Sequence, residues 1–238
     1  MKKSTQTRIT RYTLELFVII FGISVSFLLN EWRENRQNFK AEGAALHAIY
    51  DDLIADSLVI SNEAKLLANN QTYYNYFLKK VYSENANPDS IVRAIGAFAM
   101  YTTLETKNVA YEQLKATGQL GLITNKILLK EIVEIYTNEY GITRELSSID
   151  KKMVLEQYIP YLLKESPLSL NDLNNNFDLK NPKYLKLIRD KTFLNMFVIN
   201  INFKDQNIQR YKNLNDNIRK VLNGINTEMK ERFNYKKS

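Results

Sequence analysis

From Leu16 to Leu29 the chain reads LFVIIFGISVSFLL, fourteen residues without a charge. As a helix this run rises only about 21 Å, short of the roughly 30 Å hydrocarbon core of a bilayer. Taken from Tyr12 to Trp32 it reaches about 30 Å, with an aromatic residue at each end and Arg11 and Arg33 placed to snorkel. Three readings compete for it. A cleaved signal peptide needs small residues at a cleavage site after the run, but Asn30-Glu31-Trp32-Arg33 follows, and the small pair Ser24 and Ser26 lies inside. A buried core helix would be apolar on every side, which a small bundle seldom accommodates. An uncleaved signal anchor fits both flanks.

Orientation follows from the basic residues. Lys2, Lys3, Arg8 and Arg11 precede the run with no acid among residues 1–11, whereas Glu31, Arg33, Glu34, Arg36, Lys40 and Glu42 nearly cancel after it. The asymmetry predicts a cytoplasmic basic tail (1–11), a transmembrane anchor (12–32), a periplasmic domain (33–232) and a short tail (233–238). It also reinterprets the formal charge of +7 on 238 residues. Most of the excess lies at the two chain ends, and the body between them is nearly neutral. A nucleic-acid reader needs a basic face on its body, so no nucleic-acid partner is expected. The partners expected are the lipid bilayer and either a membrane protein or a second copy packed on the anchor.

Within the anchor, Gly22 and Ser26 form a small-xxx-small pair that lets another helix approach closely. Glu15, Asn30 and Trp32 are its polar and interfacial residues. Glu15 lies one or two turns from Arg8 and Arg11, in reach of the headgroup zone.

Beyond the anchor the chain reads as helix almost throughout, an all-α fold in which the transmembrane helix continues into an antiparallel bundle. Leu46, Tyr50, Leu53, Ser57, Ile60, Ala64, Leu67, Gln71, Tyr74, Leu78 and Val81 follow alternating four- and three-residue steps, a bundle seam on a helix reaching about Tyr82, with Gly43 as a place for a bend. Asn87-Pro88-Asp89 starts a short helix over 88–100. A third runs from about Asn108 to Gly118. Thr124 or Asn125 caps a longer one, whose seam is Leu128, Ile132, Ile135, Ile142, Leu146, Ile149 and Met153 and which breaks before Pro160. Residues 165–182 are dense in turn residues and form the clearest internal boundary. The last helix opens at Asn181-Pro182 and runs to about Arg232, with a seam at Leu194, Val198, Ile201, Asp205, Ile208, Tyr211, Ile218, Leu222, Ile225 and Met229.

Catalytic chemistry is poorly served. There is no Cys and one His, and only seven Gly, which removes thiolate zinc sites, cysteine nucleophiles and multi-histidine metal sites. His47 lacks the Glu three residues before it that di-iron bundles use. Asp51, Asp52 and Asp56 cluster one turn apart near Glu42, where a cation site is conceivable, although such a run is usually a solvated face. Tyr73, Tyr74, Tyr76 and Phe77 form an aromatic patch of the kind that fills bundle cores. No catalytic residue, metal ligand or cofactor is assigned, and the chain is not expected to be an enzyme.

Two stretches carry a resemblance. Glu15, Gly22, Asn30 and Trp32, with the apolar residues between them, resemble the anchor of a widespread, uncharacterised bacterial family of single-pass helical envelope proteins, which carries Ile-Gly-Ile and then Asn-x-Trp. Here Thr13-Leu14 replaces the usual small residue before the acid, and Glu31 stands where Asn is common. Tyr111-Glu112-Gln113-Leu114-Lys115-Ala116-Thr117-Gly118-Gln119-Leu120-Gly121-Leu122-Ile123 is similar to that family's Tyr-x-x-Leu-x-x-x-Gly-x-Leu-x-x-Ile element. The resemblance implies an inner-membrane helical protein of Gram-negative bacteria and singles out Tyr111, Leu114, Gly118 and Leu120 as a motif turn. Function is then expected to be interaction or scaffolding, with ligand sensing through a partner membrane protein as the alternative.

Overall fold

The computed structural model describes residues 2–165 and 182–233, with side chains from Leu14 onward. Among these there is no strand. Helix α1 (Lys2–Lys80) is continuous over 79 residues, about 118 Å, and is not interrupted at Gly43. Instead the glycine makes room for a ring, since a Cβ there would lie 2.9 Å from Phe233. Short α2 (Pro88–Phe98) and α3 (Val109–Ala116) return along α1. The sequence starts α2 correctly: Asn87 caps it by accepting the Ser90 N–H at 3.1 Å.

The segments α4 (Lys126–Glu134), α5 (Tyr140–Lys152) and α6 (Ile159–Glu165) are joined by π-helical turns at Ile135–Glu139 and Met153–Tyr158 into one helical rod. Asn125, not Thr124, caps it, accepting the Leu128 N–H. The break expected before Pro160 does not occur. The Ile159 N–H bonds back five residues to Val154, and this widened turn lets Pro160 enter the first turn of α6, where its missing N–H leaves no helical bond unmade.

The stretch 165–182 read as a boundary lies, from 166 to 181, outside the described residues. Past it, the single last helix expected from Pro182 is divided into α7 (Pro182–Ile188) and α8 (Lys191–Phe233). Asp190 causes the division: its carboxylate accepts the N–H groups of Thr192 and Phe193 at 2.8 and 3.1 Å, an N-cap that starts a new helix.

The three long rods form an antiparallel bundle. Ser57 meets Asn215 and Gln71 meets Asp205 between α1 and α8. Glu131 meets Lys220 and Glu139 meets Arg210 between the α4–α6 rod and α8. Two apolar cores lie along the bundle. Leu46, Leu53, Ile60, Ile132, Ile218 and Ile225 belong to the one nearer the anchor. The far one is aromatic, with Phe197 stacked on Phe98 at 4.6 Å and close to Phe77 at 4.2 Å. Tyr74 and Phe77 of the aromatic patch are buried in it.

Two seams are out of phase with the sequence reading. In α5 the buried residues are Tyr140, Thr143, Ser147 and Asp150, while Ile142 and Ile149 are exposed. From Lys191 to Asn207 the buried residues of α8 are Phe193, Phe197, Asn200, Lys204 and Asn207, while Val198 is exposed. On both helices polar residues face inward, and Asp150, Asn200 and Lys204 bond one another there.

Candidate functional site

The apolar N-terminal run stands clear of the bundle. From Leu14 to Leu29 every side chain is exposed except the half-buried Val25, and this part of α1 is long and apolar enough to cross a membrane. Gly22 and Ser26 open a shallow groove bounded by Val18, Ile23 and Phe27 and reaching Asn30. Ser26 donates to the Gly22 carbonyl at 2.8 Å and Ser24 to the Ile20 carbonyl at 2.9 Å, so both hydroxyls are satisfied within the helix. A Cβ on Gly22 would meet nothing within 4 Å. Glu15 is exposed, and Trp32 carries the Arg36 guanidinium over its ring at 5.6 Å.

Where α1 enters the bundle, three segments are locked together by one carboxylate. Glu42 is 2% exposed. It accepts the Thr124 N–H and hydroxyl at 2.7 and 2.8 Å and both Arg232 guanidinium nitrogens at 2.9 and 2.7 Å. Burial pushes its pKa up, but the Arg232 and Thr124 hydrogen bonds outweigh burial and hold it below the ordinary value. Arg232 also reaches Glu228, which accepts from Asn125. Phe39 stacks on Phe233 at 4.4 Å beneath this cluster.

The family-like element packs above it. Tyr111 is buried and stacks on Tyr136 at 4.4 Å, Leu114 is buried, and Leu120 packs against the near core. Gly118 takes φ +70°, the left-handed conformation that ends α3. The start of α3 is held from outside. Its own Asn108 makes no side-chain cap, and Asp52 of α1 accepts the Ala110 N–H at 3.1 Å instead. One turn on, Asp56 accepts the Lys107 N–H and the Tyr140 hydroxyl, at 2.8 and 2.6 Å. Burial, outweighing these hydrogen bonds, raises the Asp56 pKa. Two members of the expected solvated acidic face are therefore structural acceptors, and Asp51 pairs with His47 at 3.0 Å. The described residues contain no acidic or histidine cluster that would hold a metal ion.

Between the two cores lies a buried polar layer. Lys204 and Asp150, both 0% exposed, are paired at 2.9 and 3.2 Å. Lys204 also donates to the Met100 carbonyl at 2.5 Å, and Asn200 donates to Asp150 at 3.0 Å. Burial pushes the Asp150 pKa up and the Lys204 pKa down, each opposed by the other's charge. One turn along, Ser147 and Tyr211 share a hydrogen bond at 3.1 Å. Between these pairs, neither polar atom of the buried Asn207 amide has a partner among the described residues. Helix-period counting misses this layer because it assigns apolar residues to the interior. The signal that marks it is the Asn200, Lys204, Asn207 spacing, which repeats on one helical face facing Thr143, Ser147 and Asp150.

The arrangement can fix helix register and direction, since a desolvated ion pair tolerates no slip of α5 against α8. The tyrosines available to a ligand pocket, among them Tyr140, Tyr158 and Tyr211, are packed in the cores. No protein-family model, curated protein or solved structure matches the chain.

Proposed function

We propose that this chain is a single-pass, membrane-anchored interaction or scaffold protein of the bacterial inner membrane. Residues 1–11 are cytoplasmic, 12–32 cross the bilayer, and the bundle (33–232) is periplasmic. The observation that carries the reading is the uncovered apolar run on the same unbroken helix that forms the bundle's main seam. Water does not tolerate a run of this length, whereas a bilayer does. Gly22 adds to it. Glycine costs a helix interior about 1 kcal/mol relative to Ala, and no contact among the described residues requires it, which favours a helix approaching from outside. The resemblance of the 15–32 and 111–123 stretches to helical envelope proteins points the same way.

Alkaline phosphatase fused after Ser83 or after Lys180 tests the topology. Active fusions are expected at both points, and inactive ones at both refute it. Contact through the anchor predicts that Gly22→Leu weakens cross-linking there without shifting the melting temperature. Ligand sensing through a partner membrane protein is the second reading, favoured by the π-turns on either side of the α5 polar face, because such turns recur at functional sites. It predicts that envelope extract raises the melting temperature of the protein.

A further inference from the structure

At the far end of the bundle, a pocket of about 420 Å³ opens between the turn that joins α1 to α2 and the short helix α7, a volume within the range of small-molecule sites. Its apolar lining is the rim of the aromatic core: Val81, Ile91 and Ile188 are buried, and Leu185 is half-buried. Two charged residues line it, Glu84 and Arg189, and among the described residues neither is in an ion pair. Both are held in place by the fold. Asp190 ends α7 and starts α8, which leaves Arg189 at the junction with its own N–H on the Leu185 carbonyl at 3.1 Å. The Arg189 Nε donates to the Val81 carbonyl at 3.0 Å, and the guanidinium lies 5.6 Å from the centre of the Tyr82 ring. One nitrogen and one face are thus occupied, while the two Nη groups have no partner among the described residues. A guanidinium fixed in this way offers that end to a carboxylate as a two-toothed contact. Glu84 sits inside a turn that the Ala86 N–H closes on the Ser83 carbonyl at 3.3 Å, and the Asn87 N–H ties the end of that turn to the Tyr76 hydroxyl at 2.6 Å.

We propose that this pocket binds a small zwitterion with an apolar group, the chemistry of an apolar amino acid or a short apolar peptide. Arg189 takes the carboxylate, Glu84 takes the ammonium, and the rim of the core takes the apolar group. Two unpaired opposite charges on one apolar pocket select such a ligand. A fatty carboxylate would set its charge against Glu84, and an alkylamine would set its own against Arg189, so each is disfavoured by one of the two residues. The neighbouring exposed residues Lys80 and Asp89 are of opposite sign and favour neither end. Lys186 and Asp190 line a separate pocket. The inference goes beyond the scaffold reading and holds whether or not the N-terminal run crosses a membrane.

Isothermal calorimetry on the full-length protein in a non-ionic detergent tests this with four compounds that share one apolar group. Leucine or leucyl-leucine is expected to bind, and the tighter of the two tells a free amino acid from a peptide as the source. N-acetyl-leucine lacks the ammonium and leucinamide lacks the carboxylate, and each is expected to bind about tenfold more weakly than leucine or worse. Glu84 is exposed and its carboxylate has no hydrogen bond to lose among the described residues. Glu84→Gln is therefore expected to keep the native melting temperature and to erase the preference for leucine over N-acetyl-leucine. Arg189→Gln is expected to erase the preference over leucinamide. It also gives up the Val81 bond, and Glu84→Gln carries the test if that chain does not fold. Absence of binding by all four compounds overturns the site. Equal binding of leucine and N-acetyl-leucine by the native chain overturns the zwitterion as ligand, and an unchanged preference in Glu84→Gln overturns this pocket as the place where it binds.

Discussion

Replacing Lys204 by Met keeps most of the side chain's length and removes its charge. Asp150 loses the ammonium at 2.9 and 3.2 Å and keeps one neutral donor, Asn200 at 3.0 Å. The Met100 carbonyl loses its 2.5 Å donor. Both members of the pair are 0% exposed, so water cannot replace what is lost. Removing one partner of a buried pair costs about 3–5 kcal/mol, a large share of the roughly 5–15 kcal/mol that holds a domain folded. At about 2–4 °C per kcal/mol for a domain of this size, the melting temperature should fall by roughly 12 °C.

The pH dependence has a definite sign. Burial already holds the Asp150 pKa above its ordinary value, and Lys204 is the main opposing influence. Without Lys204 the folded-state pKa rises further, so in the window between the unfolded and folded values the folded state binds more protons. Stability of Lys204→Met therefore increases as pH falls through that window, and its deficit against the native chain shrinks on going from pH 7 to pH 5. Adding Asp150→Leu removes the orphaned acid, and the double variant should return to within about 1 kcal/mol of the native chain or exceed it. Circular-dichroism melts of the full chain in detergent, from pH 5 to 8, measure all three effects. A single variant within about 1 kcal/mol of native, or a double variant worse than the single, would refute the reasoning.

Three further outcomes are expected. Glu42 has a lowered pKa, so its contribution is complete above the unfolded carboxylate value and is lost as pH falls through the folded one. Glu42→Gln should flatten that acid limb in a thermal titration and cost about 2 kcal/mol at pH 7. Tyr140→Phe removes the 2.6 Å donor to Asp56 and should cost about 1–2 kcal/mol by urea titration. Gly118→Ala has open space around it but a φ of +70°, so backbone strain alone should cost about 1 kcal/mol, and a loss above about 3 kcal/mol would show that the turn has another role.

The parts of this fold that were legible in sequence are those where apolar residues do the packing. The α1 positions Leu46, Leu53, Ile60, Leu67 and Tyr74 are buried as their spacing predicts, as are Ile208, Ile218 and Ile225 on α8. Asn87, Asn125 and Gly118 reveal helix ends because cap and left-handed chemistry is local. The polar layer hides for the opposite reason. Lys204 and Asp150 lie 54 residues apart, and each alone reads as a surface charge. Counting apolar residues on α5 then selects the outward stripe, Ile142 and Ile149, as core. Asp52 and Asp56 mislead in the same way, since the backbone N–H groups they accept come from a segment more than 50 residues on.

The unbroken α1 is, in mechanical terms, a lever whose fulcrum lies near Trp32. From there to Lys80 the helix measures about 72 Å, and α8 braces it over 43 residues, which opposes bending. A 10° change in the tilt of the anchor, well inside the range that membrane helices adopt, displaces the far end of the bundle by about 12 Å. With the Glu42–Arg232 cluster clamping α8 to α1 just above the fulcrum, that displacement is carried by the whole bundle and not dissipated at a joint. On the membrane-anchored reading proposed above, small changes in bilayer thickness or in helix contacts near Gly22 become large lateral movements of the aromatic end.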